Sequence, residues 1–157
     1  MPIRSFQKAD IRPLTEILHA TGMFRPEEID VAVELMEIVT DDSSEEDYMM
    51  NTAVDEAGTV QGYYCIGPTP MTEGTFDLYW IAVDPRIQRK GIGKQLLVHS
   101  EALMRSSGGR LVVVETSSQQ KYEPTRLFYE GNGYGEEARI KGYYGAGDDL
   151  LIYTKHL

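Results

Sequence analysis

Apolar and polar positions divide the chain into alternating strands and helices. Ile3-Arg4-Ser5-Phe6 reads as a short strand. Residues 10–20 carry helical spacing, with Pro13 in the first turn, where a missing N–H costs little. Pro26-Glu27-Glu28 opens a second helix, because proline suits the first helical position and acids favour the positive end of the dipole. Its apolar residues Ile29, Val31, Val33, Leu35, Met36, Ile38 and Val39 are dense enough to predict burial on more than one face. Residues 41–47 read as a solvated acidic loop. Residues 48–54 and 59–66 read as a hairpin turned by Asp55-Glu56-Ala57-Gly58, and residues 75–83 as a strand ending at Asp84-Pro85.

A helix is expected over residues 92–105, with Ile92, Leu96, Leu97, Leu103 and Met104 facing inward. Residues 110–116 form a continuous apolar run of the kind found at a sheet centre. A short helix follows at 124–131. Residues 134–141 and 150–155 then pair as closing strands around a loop at 142–149. The order βααβββαβαββ predicts an α/β fold whose sheet has antiparallel and parallel parts. No long linker interrupts the 157 residues, so one domain over 1–157 is expected.

Charge narrows the function. Residues 1–80 hold 4 basic and 16 acidic residues, whereas residues 81–157 hold 11 and 9. So acidic a chain repels phosphate backbones, and no nucleic-acid partner is expected. The cluster Arg86, Arg89, Lys90 and Lys94 suits an anionic cofactor, and the acidic half suits a cationic acceptor. A lone cysteine, Cys65, excludes an intrachain disulfide and fits a reducing compartment. The N-terminus has no signal-like apolar run, and no stretch of about 20 apolar residues occurs, so a cytoplasmic protein without membrane contact is expected. His19, His99 and His156 stand at no metal-ligand spacing, so no metal is expected.

The chemistry concentrates after the strand at 75–83. The run Gln88-Arg89-Lys90-Gly91-Ile92-Gly93-Lys94 carries the chain from a strand through a glycine turn into a helix. Unpaired N–H groups at a helix start, together with the helix dipole, bind anions. The spacing alone also fits an ordinary helix start. It matches neither the P-loop nor the dinucleotide fingerprint.

Gln88-Arg89-Lys90-Gly91-Ile92-Gly93 resembles the acetyl-CoA-binding motif of the GNAT N-acetyltransferase superfamily, Gln/Arg-x-x-Gly-x-Gly/Ala. The preceding Trp80-Ile81-Ala82-Val83-Asp84-Pro85 and the later Leu127-Phe128-Tyr129-Glu130-Gly131-Asn132-Gly133-Tyr134 are similar to that family too. The resemblance implies a GNAT-like fold, a central mixed and mostly antiparallel sheet flanked by helices. It implies an acetyl-CoA-dependent N-acetyltransferase acting on an amine acceptor, small or cationic given the charge, with a homodimer as one option. The pyrophosphate would sit on the N–H groups of residues 89–94, and the pantetheine arm would pair with the backbone of Ile81 and Val83. A backbone N–H near Ile81 would bind the thioester oxygen. Tyr129 takes the place of the family tyrosine that assists the departing thiolate. Tyr122 stands where the family often has an asparagine that touches the cofactor.

An alkylamine with a pKa of about 10.4 must lose a proton before it attacks. Two carboxylates are candidates for taking it. Asp77 lies six residues before Val83, where some family members carry a glutamate, and strand alternation would give it a face shared with Tyr79 and Ile81, opposite Trp80. Glu115 lies at the C-terminal end of an apolar strand, where α/β sites form. Either is equally open to a bland reading as a solvated strand-end acid. Tyr63, Tyr64, Tyr143 and Tyr144 fit either an acceptor pocket or ordinary sheet packing. Transfer of a longer acyl group, a protein lysine or N-terminus as acceptor, and a silent acyl-CoA sensor are the alternative functions.

Overall fold

The computed structural model describes residues 2–41, 47–87 and 91–157. Seven strands form one sheet: β1 (Ile3–Ser5), β2 (Met49–Val54), β3 (Val60–Pro68), β4 (Thr75–Val83), β5 (Leu111–Ser117), β6 (Gly135–Gly145) and β7 (Asp148–His156). Their spatial order is β1-β2-β3-β4-β5-β7-β6, and every neighbouring pair is antiparallel except β4 and β5. The helices are α1 (Ile11–Thr21), α2 (Pro26–Asp41), α3 (Ile92–Ser106) and α4 (Glu123–Gly131). The predicted order and sheet class both hold.

Each face of the sheet carries a core. Leu14, Ile17 and Leu18 of α1 and Ile29, Ala32 and Met36 of α2 pack on one face against Tyr63, Cys65 and Ala82. Ile92, Leu96, Leu97 and Met104 of α3, with Tyr129 of α4, pack on the other against Leu78, Val112, Val114 and Tyr153. Apolar residues three and four apart supply each helix with one buried stripe. The expectation that α2 is buried on more than one face is corrected, since Val31 is 53% exposed and Ile38 is 37% exposed. The predicted loop at 142–149 also shortens, because β6 runs on to Gly145 and turns through Ala146 and Gly147.

Two polar networks are buried with the cores. Asp10 accepts both Arg4 guanidinium nitrogens at 2.8 Å, the Gln7 N–H and the Thr52 hydroxyl. Burial alone would raise its pKa, but these donors together hold it below the ordinary carboxylate value. On the α3 face, Glu101 accepts the Tyr134 hydroxyl at 2.7 Å and the Lys155 ammonium at 3.0 Å.

The sheet opens in its middle. β4 and β5 pair only at Thr75–Leu111, Phe76–Val112 and Asp77–Val113. Beyond these residues the two strands have no register. On the other edge of β4, the pairing with β3 skips Tyr79, because Cys65 faces Trp80 and Ile66 faces Leu78. This β-bulge shifts the side-chain alternation by one residue. Phe76 and Leu78 therefore lie on the α3 face together with Ile81 and Val83. Trp80 and Ala82 lie on the α1–α2 face. The expected face shared by Asp77 and Ile81 is corrected by this bulge. Asp77 alternates with Phe76 and Leu78, which puts it on the same face as Trp80 rather than opposite to it.

Candidate active site

A cavity of about 560 Å3 fills the split between the ends of β4 and β5. Residues 79–83 form one wall and residues 114–117 the other. Phe24, Glu28 and Tyr122 close it on the helical side, and Tyr144 and Asp148 close it from the last hairpin.

The cavity exposes main-chain groups as well as side chains. The Asp84 N–H donates to the Gln61 carbonyl on β3 at 2.8 Å. Successive residues of an antiparallel strand alternate their N–H and C=O directions. Ala82 therefore points the same way as Asp84, and Ile81 and Val83 turn their main-chain groups toward the split. With β5 diverged there, an extended amide-containing chain can bond to them as a strand would. Both residues line the cavity.

The start of α3 borders the same split. Gly91 caps the helix with φ of 70°, a left-handed conformation that favours glycine. The first intrahelical bond runs from the Gln95 N–H to the Gly91 carbonyl at 3.0 Å. Among the described residues, the N–H groups of Ile92, Gly93 and Lys94 have no intrahelical partner, and such groups can receive an anion. A side chain on Gly93 would come 3.5 Å from the Phe128 ring and 3.9 Å from Val83, which fixes how closely this turn approaches both α4 and β4. Lys94 is exposed beside that helix start. Gln88, Arg89 and Lys90 lie outside the described residues. The donor set and the open strand edge together fit a pyrophosphate carrying an amide-containing arm.

Tyr129 is 4% exposed and lines the cavity from the α3 face. Its ring packs edge-on against Phe128 and Tyr134, each at 5.4 Å. Burial pushes its phenol pKa up, so it carries its proton at neutral pH. Tyr122, which replaces the expected asparagine, also lines the cavity, and its hydroxyl donates to the Met23 carbonyl at 2.9 Å.

The two candidate bases are separated by the fold. Glu115 is exposed and lines the cavity. Burial first, and the Glu115 charge second, push the Tyr144 phenol up to about 12, so Glu115 sits near Tyr144. Asp77 is not among the cavity-lining residues. It lies where β4 is still paired to both neighbours, and it accepts the Thr69 hydroxyl at 2.8 Å.

Two other carboxylates of the cavity, Glu28 and Asp148, are partnered. Glu28 accepts Arg25 at 3.1 Å, and Asp148 accepts the Ser117 hydroxyl and the Gln119 amide. Of the tyrosines open to two readings, Tyr63 and Tyr64 are fully buried sheet residues. Tyr63 accepts the Trp80 indole N–H, and Tyr64 bonds Asn51 and His99. Tyr144 does reach the cavity.

Sequence reasoning did not single out Phe24, Glu28 or Lys121 as cavity residues. Phe24 and Glu28 lie about 50 residues before β4 in the chain, and only the packing of α2 brings them over the split. No periodicity signals that placement.

A family model for an acetyltransferase (GNAT) domain matches residues 47–136. The structure of a Desulfovibrio desulfuricans protein described as an acetyltransferase of the GNAT family superposes with a TM-score of 0.95 at 42% identity, covering 99% of this chain and 98% of that one. An aminoglycoside 6'-N-acetyltransferase complexed with coenzyme A superposes with a TM-score of 0.81 at 21% identity, covering 99% and 97%. The ribosomal-protein-S18-alanine N-acetyltransferase from Escherichia coli gives 0.77 at 21% identity, covering 99% and 92%. The last two likenesses are likenesses of fold. Sequence comparison with curated proteins gives no match. The family model covers more than half of the chain, and the Desulfovibrio relative is similar along nearly all of it, so the chain belongs to the GNAT acetyltransferase family.

Proposed function

We propose that this protein transfers the acetyl group of acetyl-CoA to a primary amine by direct attack of the amine on the thioester. The carrying observation is the split between β4 and β5, with the free main chain of Ile81 and Val83 on one side and Tyr129 and Glu115 at its walls. A CoA-complexed structure among the family's likenesses supports the cosubstrate.

The roles follow from chemistry. The N–H groups of Ile92, Gly93 and Lys94 bind the pyrophosphate, and the helix dipole adds to that attraction. Gln88, Arg89 and Lys90 complete the turn by the motif alone. Ile81 and Val83 hold the pantetheine amides. The N–H near Ile81 receives the thioester oxygen as negative charge develops on it. Glu115 takes the proton of the incoming ammonium directly or through one water. It is preferred to Asp77 because it faces the cavity.

Tyr129 donates a hydrogen bond to sulfur as the C–S bond breaks. A thiol has a pKa of about 8.5 and a phenol one of about 10, so complete proton transfer from the phenol is uphill and hydrogen bonding is the better-matched role. The sulfur then takes its proton from the amine by way of Glu115 or solvent. Counted from the ammonium, the balance is one amide N–C bond formed, one C–S bond broken and two protons lost from nitrogen, the first passing through Glu115 to solvent and the second ending on sulfur.

The test is thiol release from acetyl-CoA across a panel of primary amines, with the acetylated product confirmed by mass. Amine-dependent release supports the reading. Tight binding of acetyl-CoA without release to any amine would favour an acyl-CoA sensor.

A further inference from the structure

A second pocket, of about 310 Å3, adjoins the cavity on the α1–α2 side. Leu18 of α1, Phe24 of the turn between α1 and α2, Ile29, Val31 and Ala32 of α2, and Trp80 of β4 form its walls. Phe24, Glu28 and Trp80 line both spaces, so the two meet along the Trp80 side chain. The indole N–H is already used by the Tyr63 hydroxyl. What Trp80 offers the pocket is therefore the apolar body of its ring. Glu27 and Glu28 supply the carboxylates of the lining, and the rest of it is hydrocarbon and aromatic carbon.

This lining discriminates by what it cannot pair. A hydroxyl placed against Leu18, Ile29 and Ala32 would lose water and gain no partner. An alkyl or aryl group there gains by leaving water. The volume exceeds that of one aromatic ring. We propose that the acceptor is an amphiphilic primary amine, with its amino group in the split near Glu115 and its alkyl or aryl group in the pocket beneath α2. The walls that the two spaces share, at Phe24, Glu28 and Trp80, bring the pocket next to the split, within reach of the acceptor's own substituent. The inference rests on the acetyl-transfer reading above and adds the class of acceptor to it.

The experiment compares kcat/KM for phenethylamine and ethanolamine with acetyl-CoA, in the wild type and in Ala32→Phe and Val31→Asp. Ala32→Phe fills the pocket, and Val31→Asp charges its half-open edge, where Val31 is 53% exposed and folding is little affected. The ratio of the two amines within one preparation cancels any loss of folded enzyme. The expected wild-type preference for phenethylamine is roughly 30-fold, within the range a hydrophobic pocket delivers. Both variants are expected to bring it below about 5-fold. Thiol release with both amines but no preference overturns the acceptor class and leaves the transfer reading standing. No release with any amine, although acetyl-CoA binds, overturns both. A Val31→Asp variant that dissociates a dimer while keeping the wild-type preference also overturns it, because the pocket would then be a contact between copies.

Discussion

Tyr129 and Glu115 line one cavity from opposite faces of the sheet. Tyr129 packs with Val112 and Val114 on the α3 face, and Glu115 alternates to the other face of β5. The split between β4 and β5 is what lets both reach the same space. A thioester threaded through it would meet the tyrosine at sulfur and the carboxylate on the acceptor side. Glu115→Gln is expected to lower kcat by about 10²-fold. Asp77→Asn, outside the cavity, should change kcat by less than about 3-fold. The reverse ranking in steady-state kinetics would reassign the base.

Tyr129→Phe should keep the fold, because the ring and its contacts with Phe128 and Tyr134 are retained. Loss of the hydroxyl removes a donor aimed at developing charge, so kcat should fall by about 10²-fold. CoA affinity should stay within about 3-fold, since the lost contact belongs to the transition state. A large loss of CoA affinity with kcat unchanged would place Tyr129 in ground-state binding instead.

Gly62 and Gly93 should respond differently to alanine. A Cβ on Gly62 would lie 2.4 Å from the Ala82 carbonyl oxygen, a main-chain atom that cannot move aside alone. Gly62→Ala should cost roughly 1–3 kcal/mol, because β3 and β4 must separate. A Cβ on Gly93 meets Phe128 at an ordinary 3.5 Å, so Gly93→Ala should cost less than about 1 kcal/mol. Denaturant unfolding of the two variants checks the order.

Acid should weaken the Asp10 network. The folded-state pKa of Asp10 lies below its unfolded value, so the contribution is complete above about pH 5 and is lost as pH falls through about 3.9 toward the folded-state pKa. Asp10→Asn should therefore unfold at lower temperature than the wild type near neutral pH, with a stability loss of roughly 2–4 kcal/mol. The gap between the two should narrow as pH falls below about 3.9 toward the folded-state pKa. Thermal melts from pH 3 to 7 measure it, and a gap constant over that range would contradict the assignment.

The elements were legible because their signals are local. Thr75 to Val83 reads as a strand by composition and ends at Asp84-Pro85, and the structure has the same bounds. Helix α3 begins at Ile92 as read, because Gly91 supplies the left-handed cap. The motif from Gln88 to Gly93 pointed to the correct family together with the segments Trp80 to Pro85 and Leu127 to Tyr134.

Other features were hidden because they depend on pairing and packing. Nothing local in Leu78-Tyr79-Trp80 announces that Tyr79 will be skipped by β3, so alternation misplaced Asp77 relative to Ile81 and Trp80. Glu101 reads as one more polar position on α3, yet it is 4% exposed and paired with Lys155, which lies 54 residues further along the chain. The density of apolar residues on α2 suggested double-sided burial. Instead, Val31 stands at the open edge of the apolar pocket.

Isothermal titration with acetyl-CoA, CoA and ATP in parallel tests the central claim most directly. The account predicts micromolar binding of the two CoA species and much weaker binding of ATP, because the proposed contacts of Ile81 and Val83 are to the pantetheine arm that ATP lacks. Equal binding of all three, or binding of none, would contradict it.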